Sequence, residues 1–375
     1  MTIDNRDRLV TDDMLDSIRA RIGVETTCRN PWVEEFNLDA IRHWAWGIGD
    51  DNPLWIDPDH AATTPHETVI APPTMLYAAD HGPLGPGAGK SKGHGLPGIH
   101  GLHSEDQWEF VRPVPLGTSV SAVQWLESID EKVKDGQTSI LQVKATEYRD
   151  QAGETLARLK RITVRRPRRT DGTSKFPDVK PWVYSEQELA QIAEDYEAET
   201  RRGAEPRFFE DVRVGDELGH VVKGPVTLMS LITFWMGWGC TFGMTDKIAH
   251  DYMRDHPGAI IVDPETNIRD FPEQAHWNSL SRSVGLPLGY DLGAARISWC
   301  GHLVTNWCGD LGEPTKLQVR LLRPNWLGDT TWIRGRVSAV ADGLVSCVLE
   351  ATNQRGEIHA AGTAEVRLPL RDSII

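Results

Sequence analysis

The stretch Arg112-Pro113-Val114-Pro115-Leu116-Gly117, in the context EFVRPVPLGTSV, returns as Arg323-Pro324-Asn325-Trp326-Leu327-Gly328 in RLLRPNWLGDTT. Both copies read R-P-x-x-L-G, and similarity at such a distance marks a duplicated unit. Each copy runs on into a β-hairpin pattern rich in β-branched residues with apolar alternation. The first is SVSAVQWLESI with TSILQVKATEYRDQAGETLARLKRITV, and the second is TTWIRGRVSAV with LVSCVLEATNQRGEIHAAGTAEVRL. Gly153-Glu154 and Gly356-Glu357 mark the matching turns. Upstream, residues 38–49 (LDAIRHWAWGIG) and 227–239 (TLMSLITFWMGWG) carry apolar side chains at three- and four-residue spacing, which predicts a helix in each copy. A second helical segment opens near Pro73 in one copy and near Gly293 in the other. Helix, helix, then meandering strands, twice over, predicts an α+β architecture in which each half packs a helix against a curved antiparallel sheet.

A length of 375 residues suits two domains, each able to bury a core. We place the first at 1–165, a linker with a connecting helix at 166–205, and the second at 206–375 with an insertion at 240–274. Residues 165–182 (RRPRRTDGTSKFPDVKPW) read as a surface linker. Ser185 and Glu188 have capping-box spacing at the head of an acidic helix. The glycine-rich stretch 82–101 is extra in the first half.

Forty Lys and Arg against 54 Asp and Glu leave a formal charge of -14, which argues against nucleic acid as a partner. Residues 1–10 resemble neither a signal nor a transit peptide, and no apolar run is long enough to span a bilayer, so the expected location is cytoplasmic, with no membrane partner. Five cysteines without a CxxC pair read as reduced thiols.

The segment Gly49-Asp50-Asp51-Asn52-Pro53-Leu54-Trp55-Ile56-Asp57-Pro58-Asp59-His60-Ala61, followed by Ile70-Ala71-Pro72-Pro73-Thr74, resembles the signature of MaoC-like (R)-specific enoyl-CoA hydratases. Leu102-His103-Ser104-Glu105, leading into Trp108-Glu109-Phe110 and Arg112-Pro113, is similar to the FAS1-like dehydratase domain that opens two-domain members. The second half resembles the family more loosely, through Phe208-Phe209-Glu210-Asp211, Val214-Gly215-Asp216, Gly285-Leu286-Pro287 and Gly293. The resemblance implies a tandem hot-dog fold. It implies hydration or dehydration of an acyl-CoA thioester, in fatty acid or steroid side-chain metabolism, with no cofactor or metal beyond the coenzyme A of the substrate. It implies a homodimer of double hot-dogs, or a hetero-oligomer in which another chain completes the site.

In the family an Asp and a His, five residues apart, handle water and protons, while a backbone N–H at the second helix's N-terminus binds the thioester oxygen, where the helix dipole favours developing charge. Asp50 and Asn52 occupy the motif's Asp and Asn positions, but Trp55 stands where the His belongs. Pro73 opens the second helix without an N–H to give. In the second half Cys240 falls at the Asp position and Ala275 at the His position, with His276 one residue on; Gly293 matches the glycine that donates to the oxyanion. The altered loop offers a rebuilt pair in Asp270 and His276, or one using Tyr290 or Asp291. The expected catalytic residues are thus Asp50, His276 and Asp270, and the expected substrate-binding residues are Asn52, Trp55, His103, Tyr290, Asp291 and Gly293.

Plainer readings stand beside these. GDDNPL is also a turn with Asx chemistry, and His276 is also a polar residue in a Trp-lined loop. His94, His100 and His103 fit no common zinc spacing. The run from Gly85 to Ser91 lacks the first glycine of a phosphate loop. Trp44, Trp46, Trp235 and Trp238 fall at helical spacing and read as core, and Cys240 as a buried thiol. Two other functions remain open: a thioesterase, which needs only a carboxylate and an oxyanion donor, and a non-catalytic acyl-binding subunit.

Overall fold

The computed structural model describes residues 11–83, 99–134, 137–167, 176, 179–257, 260–263, 266–271, 276, 281 and 286–373. The first half contains α1 (Asp12–Arg19), β1 (Thr26–Thr27), α2 (Leu38–Gly47), α3 (Pro53–Ile56), α4 (Pro58–Ala61), a 3-10 helix at Pro73–Ala79, and strands β2 (Ile99–Phe110), β3 (Ser121–Lys134), β4 (Gln137–Arg149) and β5 (Thr155–Pro167). After α5 (Glu186–Glu197) come β6 (Glu217–Lys223), α6 (Leu228–Trp238), α7 (Asp246–Asp255), the short strands β7 (Ile261–Val262) and β8 (Arg269–Asp270), α8 (Gly293–Cys308), and strands β9 (Glu313–Leu321), β10 (Thr331–Ala341), β11 (Leu344–Asn353) and β12 (Ile358–Arg367). The order helix, helix, strands is therefore repeated, as the sequence predicts.

Ten strands make one antiparallel sheet in the order β1-β3-β4-β5-β2-β9-β12-β11-β10-β6, so the halves are joined edge to edge through β2 and β9. Arg112 and Arg323 of the repeated motif differ by 211 in number, and so do Gln107 and Gln318, which pair directly across that seam. A pseudo-twofold axis must pass between those two glutamines. Flanking it, Glu105 faces Arg320 and Glu109 faces Lys316. The buried Glu105 carboxylate accepts from Gln318 Nε2 at 2.6 Å, Gln107 Nε2 at 2.7 Å and Arg320 Nε at 3.1 Å.

The helices obey the same pseudosymmetry. Asn37 caps α2 by accepting the Ala40 N–H at 2.9 Å, and Ile41, Trp44, Ala45 and Ile48 form its buried face. Thr227 and Ser230 form a capping box on α6, and Ser185 with Glu188 forms the expected one on α5. α2 and α6 cross on glycines: a Cβ at Gly47 would meet Thr233 O at 3.0 Å, and one at Gly237 would meet the Trp44 Cα at 2.6 Å. Only hydrogen at these positions lets the backbones approach so closely.

The halves differ in their second helix. α8 is a 16-residue helix buried along almost its whole length, as a helix enclosed on all sides must be. The first half has the seven-residue 3-10 helix Pro73–Ala79 in that place, its start set by Pro72 and Pro73. The long wrapped helix expected in each half is thus present in the second and shortened in the first. The insertion forms α7 and the β7–β8 ribbon, tied together by rings of Phe242, Tyr252 and Phe271. Among the described residues no helix is long and apolar enough to cross a membrane.

A candidate active site between the halves

Asp50 follows directly on α2, and local chemistry fixes its carboxylate. The Asn52 N–H donates to Oδ1 at 3.0 Å and the Trp55 indole N–H to Oδ2 at 3.0 Å. Asn52 Oδ1 in turn accepts the Leu54 N–H at 3.0 Å and caps α3, whose first residue is Pro53. The Asx-turn reading of this motif is therefore realised in these residues. Trp55, standing where the family places histidine, has no proton to exchange at this pH but holds the carboxylate in place.

Groups from the second half meet Asp50. His302, on the buried face of α8, brings Nε2 to 3.5 Å from Asp50 Oδ1. Its Nδ1 lies 2.8 Å from Lys223 Nζ, which also donates to Gly49 O at 2.8 Å. Asn306, one turn along α8, stands 3.0 Å from Nε2. Asp50, His302 and Lys223 are respectively 2%, 3% and 7% exposed, so their charges are almost wholly desolvated. Burial drives the Asp50 carboxyl up to about 6, although the Asn52 amide, Lys223 and Trp55 each pull it down. Burial lowers the Lys223 amine to about 8, and burial together with the neighbouring ammonium holds His302 well below its ordinary value, as a neutral ring.

Asp50 and His302 line a small cleft, about 360 Å3 counting its open mouth, with Pro72, Pro73, Thr74 and Phe110 of the first half and Ser298, Gly301, Pro314 and Leu317 of the second. It adjoins a groove of about 1260 Å3, counting its open mouth, and the two share Pro73, Phe110, Thr305, Pro314 and Lys316. Asn52 and Trp55 line the groove. The first amide to bond back into the 3-10 helix is Met75, to Pro72 O at 2.8 Å, so the helix leaves the Thr74 N–H unspent at the cavity wall. That amide, not residue 73, is the one available to an oxyanion.

The remaining predicted residues lie elsewhere. Asp270 sits in the β7–β8 ribbon with its carboxylate on the Phe271 N–H at 2.8 Å, and among the described residues it makes no hydrogen bond to His276. His276 Nδ1 bonds Tyr290 O at 2.8 Å, and its ring packs on Tyr290 and Trp235. Neither Asp270 nor His276 lines the cavity or the groove. Their closeness in sequence did not translate into a shared site; the ribbon carries one and the Trp-lined loop the other. Ala275 lies outside the described residues. Asp291 is buried beside Arg296 Nε at 2.9 Å and accepts from Asn325 Nδ2 at 3.0 Å, with burial raising its carboxyl to about 6. Tyr290 bridges to Trp326.

Gly293 does open α8, but His103 occupies the space before it: a Cβ there would lie 2.7 Å from His103 Nδ1. His103 Nε2 bonds Asp106 Oδ1 at 2.7 Å, and Asp106 also takes Arg161 Nη2 at 3.1 Å and the Tyr77 hydroxyl. Burial alone would raise the Asp106 carboxyl, yet Arg161 and His103 outweigh it and hold it at about 2. His103 thus packs against Gly293 and belongs to an ionic cluster with Asp106 and Arg161. The sequence reading missed His302 and Lys223; nothing in their local spacing signals a site. Among the described residues no group of three His, Cys, Asp or Glu side chains is placed to hold a metal.

Two helix-on-sheet units joined edge to edge, with a cleft between them, define a double hot-dog. Residues 20–159 match the FAS1-like dehydratase domain region. A probable enoyl-CoA hydratase alpha subunit from Thermomonospora curvata is 32% identical over 155 residues, covering 38% of this chain and 48% of that one, so the chain spans about half of that relative's length. A UPF0336 protein from Parafrankia sp. is 32% identical over 119 residues, 32% of this chain and 76% of the relative. Among solved structures, a MaoC-like dehydratase superposes with TM-score 0.66 at 20% identity, covering 94% of this chain and 100% of the other. A conserved hypothetical protein from Mycobacterium tuberculosis, described as a double hotdog fold, superposes with TM-score 0.53 at 11% identity over 92% and 96% of the two chains. The first half of the chain thus matches the FAS1-like dehydratase domain region, and the whole chain has the double hot-dog fold of these solved structures.

Proposed function

We propose that this protein adds water to the double bond of an enoyl-CoA thioester, or removes it from the 3-hydroxyacyl-CoA, in the cavity beside Asp50. The observation that carries this reading is a carboxylate with a raised pKa at the wall of a cavity whose opposite side ends in an unspent helix amide. Asp50 is the base that takes a proton from water as oxygen adds to the β-carbon. A carboxyl near 6 is still ionised at neutral pH and is a stronger base than an exposed one. The Thr74 N–H binds the thioester oxygen as it gains enolate character. The groove provides the path for the rest of the acyl-CoA, and coenzyme A enters as part of the substrate. The assay is loss of the enoyl-thioester absorbance across short, branched, aromatic and steroid side-chain enoyl-CoA substrates, with free thiol followed in parallel. Hydration with no thiol release is the expected result. No turnover on any substrate overturns the reading, and thiol release with the double bond intact turns it into a thioesterase.

A further inference from the structure

Hydration needs a proton for the α-carbon as well as a base for water, and Trp55 removes the usual donor from the first half. We propose that His302 of the second half is the acid that protonates the α-carbon, and that Lys223 recharges it through the ring, so that one site is completed across the two halves. The inference rests on the proposed hydratase reading.

The hydrogen-bond logic fixes the direction of the relay. A lysine ammonium only donates, so at 2.8 Å it makes His302 Nδ1 an acceptor and puts the ring proton on Nε2. That proton points toward Asp50 Oδ1 at 3.5 Å and the Asn306 amide at 3.0 Å. The Asn306 atom at 3.0 Å is Nδ2, so with the proton on Nε2 the amide is turned over to offer Oδ1 there, which gives that buried oxygen a partner. Asn306 is the positioning residue that keeps the ring in plane with the cavity. The charged and titratable groups that act on Lys223 are Asp50 and Asp51 after α2 and Glu199 after α5, with His302 on α8 in contact; those that act on His302 are Lys223 and Arg201. Opposite charges thus stand at the two ends of a neutral imidazole.

The step balances. Water adds its oxygen to the β-carbon and gives a proton to the Asp50 carboxylate. The Nε2 proton of His302 forms the new C–H bond at the α-carbon while the Lys223 ammonium passes a proton to Nδ1, so no imidazolate forms. Asp50 then holds one proton too many and Lys223 one too few. The ring returns it, taking the carboxyl proton at Nε2 and releasing the Nδ1 proton to the amine. With the carboxyl near 6 and the amine near 8, that return is downhill.

The test is steady-state hydration by the full chain and by His302→Gln, Lys223→Met and Lys223→Arg, each over pH 5 to 9. The expected result for His302→Gln is a fall in kcat of about 10²- to 10³-fold with KM within about threefold. Lys223→Met should lose the alkaline limb of the profile. Lys223→Arg keeps the charge but does not give up its proton, so its kcat should fall as far as that of the Met variant, with a melting temperature and KM close to the parent's. Full kcat in His302→Gln, an alkaline limb unchanged in Lys223→Met, or full kcat in Lys223→Arg each overturns the relay. These outcomes leave the hydratase reading intact. Absence of turnover in the unaltered chain overturns the hydratase reading itself, and the relay with it.

Discussion

The two sides of the pseudo-twofold axis began as the same space and now differ in what fills it. On the side of Asp50 the wall opposite the 3-10 helix is made by Pro314, Lys316 and Leu317 of β9, and the space stays open. On the other side the equivalent positions, 211 earlier, are His103, Glu105 and Asp106 of β2, and His103 is pressed against the N-terminus of α8. A ring on one strand and a pyrrolidine on its counterpart are enough to keep one cleft and close its twin. On the closed side an ion cluster, Asp106 with His103 and Arg161, stands in that place at a cost in desolvation. On the open side the Asp50 carboxylate of one half meets His302 and Lys223 of the other across the axis.

Breaking the comparison at its centre should give the largest effect. Asp50→Asn is expected to lower kcat by about 10²- to 10³-fold in the enoyl-CoA assay, equivalent to about 3–4 kcal/mol, while His276→Ala changes it by less than about threefold. Equal losses in both would mean that the open side is not the working one. Next comes the helix crossing that holds the two sides in register. Gly237→Ala forces a methyl to within 2.6 Å of the Trp44 backbone and should cost about 2–3 kcal/mol in urea unfolding; Gly47→Ala, at 3.0 Å from Thr233 O, should cost about 1 kcal/mol. Third, His103→Ala removes the plug. It should destabilise the fold by about 1–3 kcal/mol, leaving Asp106 short of a partner, without raising turnover per folded molecule. Raised turnover would show a second, suppressed site.

A further effect is in the pH dependence of stability. The folded chain holds the Asp50 proton more tightly than the unfolded one, with a carboxyl raised from 3.8 to about 6. That contribution is whole below the lower value and is lost as pH rises through about 6. The stability difference between the unaltered protein and Asp50→Asn should therefore shift by about 2 kcal/mol between pH 4 and 7, in favour of the variant at the higher pH. A flat difference would mean that the carboxylate is not desolvated.

How far the sequence spoke depends on whether the determinant was local. The duplicated R-P-x-x-L-G, the helix caps at Ser185 and Asn37 and the turn chemistry around Asp50 all act within a few residues, and each was readable. The motif also located the carboxylate that lines the cavity. His302 was invisible because it sits inside SWCGHLVTNW, a helix whose neighbours are core, and it meets Asp50 only after the two halves join. Lys223, at the end of β6, looks like any strand terminus until its partners are known. The reverse error attached to Gly293: the glycine is where the family pattern places it, but the side chain that blocks it comes from β2, across the axis. Asp270 and His276 were paired by spacing within one loop, which says little when the ribbon and the loop part company.

The seam has a consequence for partner choice. Were a first half to pair with a second first half about the same glutamine, Glu105 would face Glu109 on both flanks; two second halves would set Lys316 against Arg320. Only the unlike pairing brings acid to base on both flanks, and like charges opposed across strands cost about 0.2–1 kcal/mol each. The two copies have therefore drifted into a lock and its key. Severed between the halves, the chain would yield fragments that choose each other over their own kind, and the charges on two short stretches of strand would be what tells them apart.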